Sequence, residues 1–221
     1  MVIVFTETWL KPSISDPEIF CSKYSIFRRD RVLKNGGGVL IAVNSKLFAE
    51  MVLLPNYILD LNIEFIAIKV QFENINFYIT CSYIPPMSDF AIYSSHSKAI
   101  QFISTLLNDY DNLIVLGDFN IANILWTYDD DGFSLLPSSK VAWTTDFFSE
   151  LFECGLYQIN NFKNPFNNVL DLAFVDNSNY IIKLCAPLSL PEDIFHPSFC
   201  LSFTIDHCEQ KKNKTLFKGF T

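Results

Sequence analysis

Short unbroken apolar runs separated by polar breaks dominate the chain. VIVF (Val2 to Phe5) ends in Thr6, Glu7 and Thr8. Gly36, Gly37 and Gly38 lead into VLIAV (Val39 to Val43), and FIAIKVQF (Phe65 to Phe72) and NFYITCSYI (Asn76 to Ile84) follow. Runs of this length without helical spacing predict strands buried on both faces. Beyond Pro85 and Pro86 the period changes: Ile92, His96, Ala99, Ile100, Ile103, Leu106, Leu107 and Tyr110 make one face of an amphipathic helix.

NLIVLGDFN (Asn112 to Asn120) predicts another buried strand, and Asp129, Asp130, Asp131 and Gly132 a polar excursion. A second helix is expected to start at Thr144 or Thr145, bury Phe147, Phe148, Leu151 and Phe152, and stop at Gly155. Three more strands are expected at Leu156 to Ile159, Val169 to Val175 and Phe199 to Ile205. No repeat or linker divides the chain, so residues 1–206 read as one unit, with the Lys-rich stretch 207–221 as a tail or linker remnant. Many strands with few helices predict an α/β sandwich of two sheets flanked by helices.

Composition narrows the class. Half of the residues are hydrophobic and only 18% are charged, with 22 Phe, which excludes disorder and supplies a thick core. No apolar run approaches the ~20 residues that span a bilayer, so no membrane partner is expected. The six Cys show no CxxC pair, which predicts a reducing, intracellular setting, nucleus or cytoplasm, and no zinc site. A net charge of −8 argues against a polyanionic partner, yet Lys23, Arg28, Arg29, Arg31 and Lys34 crowd one stretch able to grip a DNA backbone.

The chemistry gathers just past strand ends, where a rigid sheet presents reactive groups. Glu7 follows VIVFT, Tyr83 ends NFYITCSY, Asp118 and Asn120 follow NLIVLG, and His196 precedes PSFCLSF. Asp171 lies inside the apolar VLDLAF, where a buried carboxylate needs a partner. Each alone is ordinary loop or turn chemistry. Together, a hard oxygen ligand for Mg²⁺ or Mn²⁺ (Glu7), a His held by an Asp, and Tyr and Asn donors point to metal-assisted phosphodiester cleavage.

The series TETWL (Thr6 to Leu10), GGGVLIAV (Gly36 to Val43), SYIPP (Ser82 to Pro86), GDFN with Trp126 beyond it (Gly117 to Asn120), GLYQIN (Gly155 to Asn160), VLDLAF (Val169 to Phe174) and HPSF (His196 to Phe199) resembles the endonuclease domain of non-LTR, jockey-type retrotransposons. That family belongs to the exonuclease–endonuclease–phosphatase superfamily, and the resemblance runs from Val2 to about Ile205. It implies a four-layer α/β/β/α sandwich of two mainly antiparallel sheets, with the active site at one end. By the same resemblance Glu7 binds the metal and Tyr83 contacts the phosphate. Asp118 positions or deprotonates the attacking water, Asn120 holds the phosphate, and Asp171 orients His196. The glycines read as the turn into a core strand.

Two features depart from the family. An acid usually precedes the closing His, but position 195 is Phe, leaving Glu192 and Asp193 nearest, with Asp193 the candidate metal ligand in its stead. The family also has a strand ahead of the TETWL strand, bearing an active-site Asn, so the first strand is expected to be missing and the sheet to be open beside VIVF. The resemblance implies a Mg²⁺-dependent endonuclease that nicks DNA to prime reverse transcription by an associated reverse transcriptase domain. The alternatives are an inactive relic that at most binds DNA or protein, and a lipid head-group phosphodiesterase.

Overall fold

The computed structural model describes residues 1–32, 36–59, 61–128, 134–138, 142–185, 193–207 and 210–220. Lys34, Glu192 and the excursion from Asp129 to Gly132 lie outside them. In chain order the elements are β1 (Val2–Thr6), α1 (Asp16–Ile19), β2 (Tyr24–Arg29), β3 (Val39–Asn44), β4 (Phe48–Met51), α2 (Asn56–Leu59), β5 (Glu64–Phe72), β6 (Ile75–Tyr83) and α3 (Phe90–Ser104). They continue as β7 (Asn112–Asp118), β8 (Leu125–Tyr128), β9 (Ser134–Ser138), α4 (Ala142–Glu153), β10 (Tyr157–Gln158), β11 (Asp171–Val175), β12 (Tyr180–Leu184), β13 (Phe199–His207) and β14 (Gln210–Phe220).

Two mainly antiparallel six-stranded sheets result, in the orders β12-β13-β14-β1-β3-β2 and β10-β11-β7-β6-β5-β4, with β8 and β9 forming a separate ribbon. Their inner faces close over Val2, Val4, Ile41, Ile68, Ile79, Ile114 and Leu201, and Phe203 meets Phe77 edge-on across the seam and packs at a tilt on Tyr180 of its own sheet. Helices α3 and α4 cover the outer face of the second sheet, packing Tyr93, Phe147 and Phe148 on Phe119 and Phe174. The outer face of the first sheet is covered more thinly, by Leu10, Ile19, Phe20 and Tyr24 around the one-turn α1. The expected α/β sandwich is thus present, unequal in its two outer layers.

The apolar runs become strands as expected because both of their faces are buried. Part of the basic stretch, Tyr24 to Arg29, pairs with β3 as an edge strand, where one-sided exposure tolerates charge. Two expectations change. Helix α4 starts at Ala142, so Thr144 is a buried residue inside it and not its cap. Residues 210–220 are not a solvated tail but a strand between β13 and β1, antiparallel to the one and parallel to the other, with Val2 opposite Phe217 and Phe5 opposite Phe220. That flank is where the resemblance puts its additional strand, so the sheet is not open beside β1. Backbone N–H and C=O groups supply this pairing whatever the side chains, which is why a Lys-rich composition concealed it.

Gly117 is the tightest point in the sheet. Its neighbour across the β6–β7 ladder is Ser82, and a Cβ at position 117 would overlap the Ser82 carbonyl oxygen. Backbone cannot yield as a flexible side chain can, so Gly117→Ala should cost at least about 2 kcal/mol. The measurement is the urea midpoint; an unchanged midpoint would contradict the close approach.

Candidate active site

The register of the second sheet sets Tyr83, Asp118 and Asp171 side by side. Tyr83 is opposite Asp118 on the parallel β6–β7 pair, and Asp171 is opposite Asp118 on the antiparallel β7–β11 pair. Backbone bonds just beyond the strands hold the row: Ile84 N–H donates to the Asp118 carbonyl at 2.9 Å and Phe119 N–H to that of Leu170 at 3.0 Å. The buried Asn160 side chain donates to the Asp171 carbonyl at 2.7 Å. His196 enters from the loop before β13, its Nδ1 2.9 Å from Asp171 Oδ2 and its Nε2 3.8 Å from Asp118 Oδ2.

Glu7 arrives from β1 of the other sheet, and the Tyr83 hydroxyl donates to its Oε1. The backbone there is bent sharply, with φ of 48° at Glu7 and 55° at Trp9, a region side-chain-bearing residues rarely occupy. Two of the three glycines hold the bend: Thr8 N–H donates to the Gly38 carbonyl at 3.2 Å and Trp9 N–H to that of Gly37 at 2.9 Å. Both glycines have left-handed φ, and a Cβ on either would meet Thr8, Arg31 or Glu64. The glycine turn thus shapes the loop that presents Glu7.

Asn120 closes the site from the far side of Asp118. Its side-chain amide donates to Asp118 Oδ2 at 2.6 Å and to the Ile84 carbonyl at 3.0 Å, and its backbone N–H donates to Asp118 Oδ1 at 3.0 Å. Its φ of 50° suits Asn.

Two buried carboxylates in adjacent strands repel. Burial first, and then each other's charge, hold Asp118 above the usual carboxylate range. Burial also raises Asp171, opposed by its bond to His196. On His196 burial disfavours the charge, but the Asp171 bond and the charges of Asp171, Asp118 and Asp193 prevail and lift its pKa to about 9. Burial and the Glu7 carboxylate push the Tyr83 hydroxyl up, so it stays a donor. At neutral pH the imidazole of His196 is therefore protonated.

These shifts fix how stability varies with pH in the presence of a chelator. A His raised from about 6.5 to about 9 stabilises the fold fully below pH 6.5 and loses that contribution as pH rises through 9, up to about 3 kcal/mol. The raised carboxylates act in the same direction, since their charging costs more in the folded state. The melting temperature should therefore fall between pH 6.5 and 9, and His196→Ala should flatten the slope; a profile that rises over this range would contradict the assignment.

The other expected residues are placed differently. Asp193 is exposed, its Oδ1 accepting the Phe195 N–H at 2.8 Å and its carbonyl the His196 N–H at 3.1 Å, so it shapes the turn that presents His196. Asp118, Asp171 and His196, without Asp193, form the group whose ligand atoms lie within 4.8 Å of one another and could hold an ion. Arg28 is bound to Asp16 at 3.3 Å and Asp30 at 3.6 Å, and Arg29 is half-buried within the field of Glu64. Arg31 reaches the site, its guanidinium 5.5 Å above the Tyr83 ring and its Nε 2.6 Å from Glu64 Oε1.

Glu64 is a residue that sequence reasoning missed. It also accepts the Gly38 N–H, joining the glycine turn, Arg31 and Tyr83 into one support. Its signal in the sequence is weak, a single acid before the FIAIKVQF run.

The donor set suits a hard divalent cation. Asp118 and Asp171 offer oxygens close together, Asp171 Oδ1 is buried without a hydrogen-bond partner among the described residues, and Glu7 meets the row through the Tyr83 hydroxyl.

No family model matches the sequence, and no curated protein matches it. Solved structures do. The endonuclease domain of TRAS1, a telomere-specific non-LTR retrotransposon, superposes with a TM-score of 0.57 at 14% identity, over 89% of this chain and 81% of that one. The human Nocturnin catalytic domain gives 0.60 at 13% identity, over 92% and 80%. The 3′ phosphatase NExo from Neisseria, bound to a product DNA hairpin, gives 0.55 at 13%, over 83% and 80%. What these proteins share with this chain is the exonuclease–endonuclease–phosphatase fold.

Proposed function

With that fold as the premise, we propose that this chain is a divalent-metal-dependent phosphodiesterase acting on DNA, and more narrowly the nicking endonuclease of a non-LTR retrotransposon that primes reverse transcription. The observation that carries the reading is the in-register row of Tyr83, Asp118 and Asp171, with His196 bonded to one end and Glu7 to the other.

Glu7 is the proposed metal ligand, joined by carboxylate oxygens of the row. A bound Mg²⁺ or Mn²⁺ supplies positive charge for a phosphate oxygen and lowers the pKa of a water. Asp118 takes a proton from the attacking water onto a carboxylate oxygen, a task its raised pKa favours, while the water oxygen bonds phosphorus, the P–O3′ bond breaks and the departing 3′ oxygen takes a proton from solvent. Asn120 fixes that carboxylate with two hydrogen bonds. His196, kept protonated by Asp171, donates from Nε2 to a phosphate oxygen as charge builds. Tyr83 donates from its hydroxyl on the Glu7 side.

The engaged arginines limit the earlier proposal of a backbone grip. Arg28 and Arg29 remain candidates for distant phosphates, whereas Arg31 serves through Tyr83 and Glu64. The chemistry of the ends tests the reaction: an end-labelled duplex incubated with Mg²⁺ should yield 3′-hydroxyl and 5′-phosphate ends at internal positions. Release of inorganic phosphate from 3′-phosphate ends without internal cleavage would make the chain a phosphatase.

A further inference from the structure

Beside His196 stands a feature that the proposed reaction leaves unused. Phe166 and Phe195 stack face to face, their centroids 5.3 Å apart and their planes within 7° of parallel. Phe166 is nevertheless 61% exposed and Phe195 43% exposed. Stacking covers one face of each ring, so much of the exposed area lies on outer faces and edges.

A single buried residue holds both rings. Asn164, only 5% exposed, accepts the Phe166 N–H at 3.0 Å and the Asn168 N–H at 3.1 Å on its Oδ1, and donates from Nδ2 to the Phe195 carbonyl at 3.2 Å. Asp193 fixes the Phe195 N–H from the other side. Two segments 29 positions apart in sequence are thus locked so that two apolar rings face solvent together. Water does not reward such an arrangement; an apolar, planar ligand does.

We propose that this pair is a stacking platform for an unstacked nucleobase of the strand whose phosphate lies at His196. The inference rests on the phosphodiester reading and names how the substrate is held. Phe195 precedes His196 in the same turn, closed by the His196 N–H to the Asp193 carbonyl, so the pair sits on the loop that presents the imidazole. Two rings are too small a surface for a protein partner, whose interface needs roughly 800 Å² on each side. The net charge of −8 and the engagement of Arg28 and Arg31 by carboxylates weaken the Coulombic attraction for a backbone, and base stacking is neutral to that deficit. Where the resemblance expects an acid at position 195, a Phe gives up one charge beside the phosphate and gains a stacking face.

Binding tests this without turnover. Single-stranded oligonucleotides carrying 2-aminopurine are titrated in chelator, beside the same backbone with abasic linkers in place of its bases. Phe166→Ala and Phe195→Ala should each weaken binding of the base-bearing strand at least about five-fold and reduce 2-aminopurine quenching, while abasic binding is unchanged and Phe195→Tyr retains affinity. Both rings are exposed, so melting temperatures should hold. Equal losses on both oligonucleotides, no loss on either, or no binding by the parent chain would overturn the platform. A parent that binds base-dependently but never nicks in Mg²⁺ refutes the phosphodiesterase reading and leaves the platform standing.

Discussion

Asp118→Asn should reduce DNA nicking by at least about 10² to 10³ while leaving the melting temperature within about 4 °C of the parent. The substitution keeps the shape and removes the charge that takes the proton. Its effect on folding is a balance of opposed terms. Asp118 is 1% exposed and faces Asp171 across the β7–β11 ladder, so losing its charge relieves a burial penalty and a repulsion. Against this, an amide has one acceptor oxygen where the carboxylate has two, so one of the two bonds from Asn120 is lost, leaving a donor facing a donor. Active sites commonly hold groups whose removal leaves the fold intact and the chemistry gone. A folded Asp118→Asn protein with parental activity would remove the proposed base, and a collapse in melting temperature would mean that the carboxylate serves the fold.

The second large effect concerns β14. Deleting residues 210–221 should leave an aggregating, poorly folded chain, because the strand pairs with β13 on one side and β1 on the other. Its loss opens two long edges at the centre of a six-stranded sheet and leaves ladder N–H and C=O groups unpaired on both. Many net hydrogen bonds of about 1 kcal/mol each exceed what a domain stable by about 5–15 kcal/mol can lose. Size-exclusion chromatography and circular dichroism read the outcome, and a synthetic peptide of residues 210–220 should restore folding in trans by strand addition. A truncated chain that stays monomeric with the parental melting temperature would show that β14 does not hold this place.

What the sequence made legible follows from burial. β1, β3, β5, β6, β7 and β11 are apolar on both faces because a sheet covers one side and a helix or loop layer the other, so hydropathy alone marks them. The edge strands β2, β4 and β12 have no such signature, since Tyr180 alone among their residues is fully buried. β14 escaped notice for a different reason: its place is set by backbone pairing, to which composition is blind.

At the site, the strand-end rule singled out Glu7, Tyr83, Asp118 and Asn120, polar residues at the ends of apolar runs, and His196, just ahead of one. Glu64 and Asn164 did not stand out. Each acts by binding groups 26 or more positions away, Gly38 and Arg31 for the one and Phe195 for the other, and no local pattern encodes those bonds. Asp193 lies near His196 as expected, but its carboxylate is turned to a backbone N–H.

The most direct test of the central claim is supercoiled plasmid incubated with the purified chain in Mg²⁺ and, in parallel, in chelator, with Asp118→Asn as the third arm. The account predicts conversion to the open-circular form with Mg²⁺ and parental chain only. Equal conversion in chelator, or by Asp118→Asn, or none in any arm from a chain shown to be folded, would contradict it.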